Sequence, residues 1–158
     1  MKWISHEILT GATVYAFSGD ILYAMFSMAG SVLPDKMEGS PQAQRSYWSW
    51  RSRHRGTSHW PAPYLFVIAL LLFVHKLQLV PMEMWGFLLL GIFLMIGALL
   101  HILEDAVCGK VPLIRRRQKI GIKLFTVGSV TEYLFVLGVT VLLFEIGRAS
   151  CRERVSSP

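Results

Sequence analysis

The chain has 158 residues, 53% of them hydrophobic and 16% charged, with five histidines, two cysteines and a formal charge of +6; its mean hydropathy is +0.47. Soluble domains average roughly 25% charged residues, so this is a membrane composition, and the length suits one compact bundle without a second domain. Cys108 and Cys151 give no disulfide framework or CxxC metal spacing, and the basic residues flank apolar segments, as topology signals and anionic-lipid contacts do, which argues against nucleic-acid binding.

The first apolar segment covers residues 4–33. As one span it would bury Asp20 in mid-membrane and place His6 across the bilayer from Asp35. A break at Ser18-Gly19-Asp20 would give two helices of about thirteen residues, each ~20 Å and too short to cross. A re-entrant or interfacial hairpin is the preferred reading; a single span, hence four spans in all, is the alternative. Residues 38–53, with Tyr47, Trp48 and Trp50, suit an interfacial loop with an aromatic belt. Apolar runs follow at 61–80, 84–107 and 126–146, each about long enough for a ~30 Å hydrocarbon core. The expected fold is therefore an all-α membrane protein: a small bundle of three full transmembrane helices plus an N-terminal helical hairpin. The connection 108–125 carries Lys110, Arg115, Arg116, Arg117, Lys119 and Lys123, which places it on the cytoplasmic side. The loop 36–60, with Arg45, Arg51, Arg53 and Arg55, falls on that side too. Residues 1–144 make a single domain. Residues 145–155, Glu-Ile-Gly-Arg-Ala-Ser-Cys-Arg-Glu-Arg-Val, read as a translated sequencing adapter, so 145–158 is taken as a non-native tail.

Four of the five histidines and two aspartates sit at the edges of the apolar segments: His6, Asp35, His54, His59, His101 and Asp105. Imidazoles and carboxylates gathered beside lipid are costly unless they bind something, and a divalent metal is the commonest such ligand. His101 and Asp105 are four apart and project from one helix face, one turn apart. Glu104 is a third ligand, a partner of a ligand or a general base. His54 and His59 bracket Arg55-Gly56-Thr57-Ser58; one histidine ligates, and the other ligates, shuttles a proton or binds substrate. Gly56 allows a tight turn, Thr57 or Ser58 can cap the following helix, and Arg55 is a forked donor suited to phosphate. Asp35, after Pro34, can ligate one metal or bridge two. Ser5 beside His6 can be a helix cap. Asp20 and Glu132 are intramembrane carboxylates that warrant a functional reading, with no partner visible in the sequence. His75 reads as an interfacial residue without a catalytic role.

His6, Gly30-Ser-x-Leu-Pro-Asp35, His54-Arg-Gly-x-Ser-His59, Gly97-x3-His101-x3-Asp105 and the following Gly109-x-x-Pro112 together resemble the predicted membrane-bound metal-dependent hydrolases. That bacterial family includes a LexA-regulated inner-membrane protein, and the resemblance covers about residues 1–145. Its members more usually carry a second acidic residue soon after Leu-Pro-Asp; here Lys36-Met37-Glu38 follows, with Glu38 as the available substitute. The ligand order is also similar in outline to the zinc-dependent phospholipase C and P1-type nuclease site, which implies phosphoester hydrolysis at two or three zinc ions.

The expectation is a multi-pass bacterial inner-membrane hydrolase with a metal site, most simply zinc, at the cytoplasmic interface. The ligands would be His6, Asp35, His54, His59, His101 and Asp105, with Glu104, His59 and Arg55 as catalytic residues. The substrate would be a phosphoester such as a phospholipid headgroup. The alternative is a non-catalytic membrane protein that binds or carries a metal ion, which Asp20 and Glu132 would suit.

Overall fold

The computed structural model describes residues 1–39, 55–113 and 118–156. The aromatic belt Tyr47, Trp48 and Trp50 and the basic residues Arg45, Arg51, Arg53, Arg115, Arg116 and Arg117 lie outside the described residues.

The first apolar segment is broken at Gly19-Asp20. Helix α1 (Trp3–Ser18) ends where Gly19 adopts φ 69°, ψ 5°, a left-handed conformation that costs glycine little, and the Gly19 amide donates to the Tyr15 carbonyl. Asp20 then caps α2 (Ile21–Ser31), its carboxylate accepting from the Leu22 and Tyr23 amides at 2.7 and 3.3 Å. The two helices pack as a hairpin that returns the chain to its starting end, where the Trp3 indole donates to Asp35 at 2.8 Å. At 1.5 Å per residue neither helix reaches ~30 Å. Asp20, suspected of a role within the membrane, makes the turn of this hairpin.

Pro34 sits in the first turn of the short α3 (Leu33–Glu38), where its missing N–H costs nothing. A 3-10 turn, Thr57–His59, packs against α3. Helix α4 (Ala62–Lys76) has 15 residues, about 22 Å, shorter than the span expected over 61–80. It stops because Gln78 turns to φ 51° and Pro81 follows. Helix α5 (Trp85–Cys108) and helix α6 (Val130–Ser156) are the long ones. Two segments, Met82–Cys108 and Val130–Ala149, are long and apolar enough to cross a membrane.

Helix α5 is the axis of the bundle, packed against α2 on one side and α4 on another, while α1 bridges α2 and α6. Close approach of α2 and α5 depends on small residues: a Cβ at Gly97 would collide with the Ser27 carbonyl, and one at Gly30 with the Leu94 carbonyl. The Ser27 hydroxyl adds a bond to the Phe93 carbonyl at 2.8 Å. The outer faces carry large apolar side chains, among them Phe66, Phe73, Phe87, Leu134, Leu137 and Leu142, each at least half exposed. In water such a surface would be an aggregation liability; hydrocarbon is its natural solvent.

The helical bundle carries one small addition, an antiparallel ladder of β1 (Val111–Pro112) with β2 (Lys119–Ile120). The chain then runs back across the end of α5. The Ile122 and Leu124 amides donate to the Ala106 and Val107 carbonyls at 2.7 and 3.1 Å, satisfying acceptors of the last helical turn. All the candidate site residues described lie at this end of the bundle.

Candidate metal centre

The chemically important side chains reach the site from four elements. Helix α5 supplies His101, Glu104 and Asp105 from its last two turns, all buried. Helix α1 brings His6 from its first turn, α3 brings Asp35, and the 3-10 turn brings His59. His6, His59 and His101 have no solvent exposure, and the Asp35 side chain, at 17%, is the open edge of the cluster.

The contacts are tight. His59 Nε2 lies 3.2 Å from His101 Nε2, 3.3 Å from Asp35 Oδ1 and 3.5 Å from Asp105 Oδ2. His101 Nε2 lies 3.6 Å from Asp35 Oδ1 and 3.9 Å from Asp105 Oδ2, and His6 Nε2 lies 3.4 Å from Asp105 Oδ1. Ligands held ~2.0–2.2 Å from a tetrahedral ion stand ~3.3–3.6 Å apart, so most of these separations are close to the edges of a coordination polyhedron, the 3.9 Å between His101 and Asp105 being the longest. Two groupings, His6-His101-Asp105 and Asp35-His59-His101, each keep their ligand atoms within 4.8 Å of one another, and they share His101. Five of the six residues singled out as ligands therefore converge. The sixth, His54, lies outside the described residues.

The partners of His6 decide how well the cluster suits a metal. Its Nδ1 donates to Glu104 Oε2 at 2.6 Å, and Glu104 Oε1 accepts from the Thr10 hydroxyl at 2.9 Å. With Nδ1 carrying the proton, Nε2 is the lone-pair nitrogen. It is buried, makes no hydrogen bond and lies 3.4 Å from Asp105 Oδ1, a position that a cation shared between the two would satisfy. Both Glu104 oxygens are thereby engaged, so of the three roles open to it the geometry favours partner of a ligand over general base.

Arg55 meets Asp105 through one hydrogen bond, Nη2 donating to Oδ1 at 2.9 Å, and an ion-pair contact of Nε with Oδ2 at 2.8 Å that lacks hydrogen-bond geometry. This charge-assisted bond and the adjoining ion pair hold the carboxylate, and Arg55 makes them from φ 56°, an uncommon conformation for a side-chain-bearing residue. Asp35 and His59 lie outside the long helices and perturb each other. Burial alone would raise the Asp35 carboxyl, yet His101 and His59 hold it far below the usual carboxylate range. Burial alone would lower His59, yet Asp105 and Asp35 raise it to about 9.

A family model for the YdjM inner membrane protein matches residues 1–150. The chain belongs to the YdjM inner membrane protein family. No curated protein and no solved structure matches it. Membership of the YdjM family makes this an inner-membrane protein, in keeping with its two long apolar helices.

Several contacts of this YdjM-family site have no signal in sequence, although Ser5 and Glu132 stand out there as residues. Trp3 binds the free oxygen of Asp35, and Thr10 completes Glu104. The Met1 amino group reaches Asp105 Oδ1 at 2.7 Å. Glu132 accepts from the Lys2 amide, the Ser5 hydroxyl and the Gly128 amide at 2.8, 2.6 and 2.7 Å, which ties the start of α6 to the start of α1. Ser5 is thus a partner of Glu132, and the residue capping α1 is Lys2. His75 stacks edge-on against Trp85 far along the chain from the cluster. Only the pattern of Thr10 one turn after His6 could have been read beforehand, as a polar face continuing along α1.

Proposed function

We propose that the chain is a membrane-bound metal-dependent hydrolase acting on phosphoesters, with zinc the best-suited metal. The observation that carries this reading is the convergence of His6, Asp35, His59, His101 and Asp105 into two overlapping ligand groups, one of them containing the orphaned His6 nitrogen. His6, His101 and Asp105 would hold one ion and Asp35, His59 and His101 offer the second grouping; the mixed imidazole and carboxylate donors suit zinc. When bound, such an ion acts as a Lewis acid toward a phosphoryl oxygen and lowers the pKa of water.

The chain's own residues prepare that chemistry. Glu104 keeps the His6 ring in one tautomer and aims Nε2 inward. Arg55 pins Asp105 and places a permanent positive charge at the rim, where the anionic phosphoester would enter. Asp35, the most exposed member, marks the entry side. Because the cluster lies at the end of the long apolar helices, it would stand at headgroup level, on the cytoplasmic side if the basic connection 108–125 follows the positive-inside rule. A phospholipid or related phosphoester is the substrate class that meets a site at that depth.

The competing reading, a non-catalytic carrier or binder of metal ions, drew on Asp20 and Glu132. Both are engaged in structural hydrogen bonds, one as a helix cap and the other as a tie between helices.

Metal analysis of detergent-purified protein, with phosphodiesterase assays over a panel of lipids, tests the proposal. Bound zinc with turnover abolished by His101→Ala and by Asp105→Ala supports it. Tight metal without turnover on any lipid would favour the binder, and a folded protein with no metal would exclude both.

A further inference from the structure

Further along the bundle, on the Gly19-Asp20 side of the cluster, lies an apolar groove of about 360 Å³ between α1 and α5, lined by Val14, Phe17, Phe93, Ile96 and Leu100 with Thr13 and Ser18. Its hydroxyls face inward to their own backbone: Thr13 donates to the Leu9 carbonyl and Ser18 to the Val14 carbonyl, both at 2.7 Å. The lining is accordingly almost wholly hydrocarbon. Along α1 the groove face continues one turn at a time through Thr10 to His6, and along α5 Leu100 immediately precedes His101 and lies one turn before Glu104. The helices run in opposite directions here, so both carry the groove away from the metal cluster toward the Gly19-Asp20 turn. Phe17, 72% exposed, stands about 16 Å along the axis from His6.

The groove ends at Thr13 and Leu100, with the buried Thr10–Glu104 pair between it and the cluster. An apolar groove in line with a cationic and metal-ligating end has the polarity of an amphiphile. We propose that this groove receives one acyl chain of the phospholipid substrate, with its phosphate at the cluster and Arg55. The inference rests on the phosphoester-hydrolase reading and narrows it, from phosphoesters in general to those carrying a hydrocarbon chain. A water-soluble phosphoester would leave the groove without an occupant.

The test uses full-length protein in nanodiscs containing a phospholipid with a photoactivatable group midway along one acyl chain, with adducts mapped by mass spectrometry. Adducts are expected on Phe17, Phe93 and Ile96 in excess of those on Phe66 and Leu134, two lipid-facing residues away from the groove. A photoactivatable alkane of equal length, lacking phosphate, should show no such excess. Ile96→Trp, which fills the groove from α5, and Thr13→Phe, which fills it from α1, should each lower groove adducts at least about tenfold, as exclusion of methylenes from an apolar pocket does. Adducts on Phe66 and Leu134 should stay as they were, showing that the protein remains inserted. Equal labelling of groove and outer faces, equal labelling by phospholipid and alkane, or indifference to both substitutions would overturn the inference. Metal content, measured on the same samples, separates the two ideas. Groove labelling without metal would leave the acyl site standing and remove the hydrolase reading. Metal without groove labelling would do the reverse.

Discussion

Glu104 Oε2 and His6 Nδ1 are joined at 2.6 Å across ninety-eight residues of sequence. The bond links the last turns of α5 to the first turn of α1, and it determines which His6 nitrogen faces Asp105. Glu104→Ala would free the His6 ring and leave Thr10 without its acceptor. Loss of a carboxylate behind a ligating histidine typically costs about 10–100-fold in metal affinity. That loss should appear in chelator competition, with Glu104→Gln, which retains an acceptor for Nδ1, affected less. Unchanged affinity in Glu104→Ala would mean that Glu104 does not orient His6.

Proton and metal compete at His59. In the metal-free protein burial opposes its charge, but Asp105 and Asp35 raise it to about 9 from 6.5. A raised histidine stabilises the fold most below its unfolded value, so this contribution is complete below about pH 6.5 and lost as pH rises through about 9. Metal requires the neutral imidazole, so binding should expel a proton and tighten as pH rises toward 9. Calorimetry in two buffers of different ionisation enthalpy should give different apparent heats at pH 7. Identical heats would contradict proton displacement.

Asp20 should prove a structural residue. Asp20→Ala removes the side-chain acceptor for two amides of α2, and loss of such a cap costs about 1 kcal/mol. Thermal unfolding in detergent should shift down modestly while metal content stays at the wild-type level. Loss of metal in this variant would point instead to a role for Asp20 in ion passage.

Gly97 tests the packing that holds α5 against the hairpin. Any side chain there meets the Ser27 carbonyl. Gly97→Leu should destabilise the protein by about 1–3 kcal/mol or more, the ordinary cost of overpacking a close contact. Ser27→Ala should cost less, because it removes one hydrogen bond to the Phe93 carbonyl and keeps the helix spacing. Near-wild-type melting of Gly97→Leu would show that α2 and α5 are not packed closely in the membrane.

The parts of this molecule that sequence disclosed are those that short-range geometry governs. His101 and Asp105 share a helix face because they are four apart, and the Ser18-Gly19-Asp20 break could be foreseen from glycine's freedom and aspartate's capping chemistry. His6 was placed with the cluster only through that hairpin. The length of α4 was overestimated because the apolar composition continues past Lys76 while the backbone turns at Gln78. The ties made by Trp3, Thr10 and Glu132 were invisible, since each joins segments far apart in sequence and depends on how the helices dock. Glu104 illustrates the same limit: its position suggested three roles, and only the distance to His6 discriminates among them.

Metal content of the wild-type protein and its His101→Ala variant, each purified without chelator and checked for folding, is the most direct measurement of the central claim. His101 belongs to both ligand groupings. Wild-type protein should retain zinc with nitrogen and oxygen ligands at ~2.0–2.2 Å by X-ray absorption, and His101→Ala should lose it while remaining folded. A folded wild-type protein that holds no divalent metal, or a variant that keeps as much as the wild type, would contradict the claim.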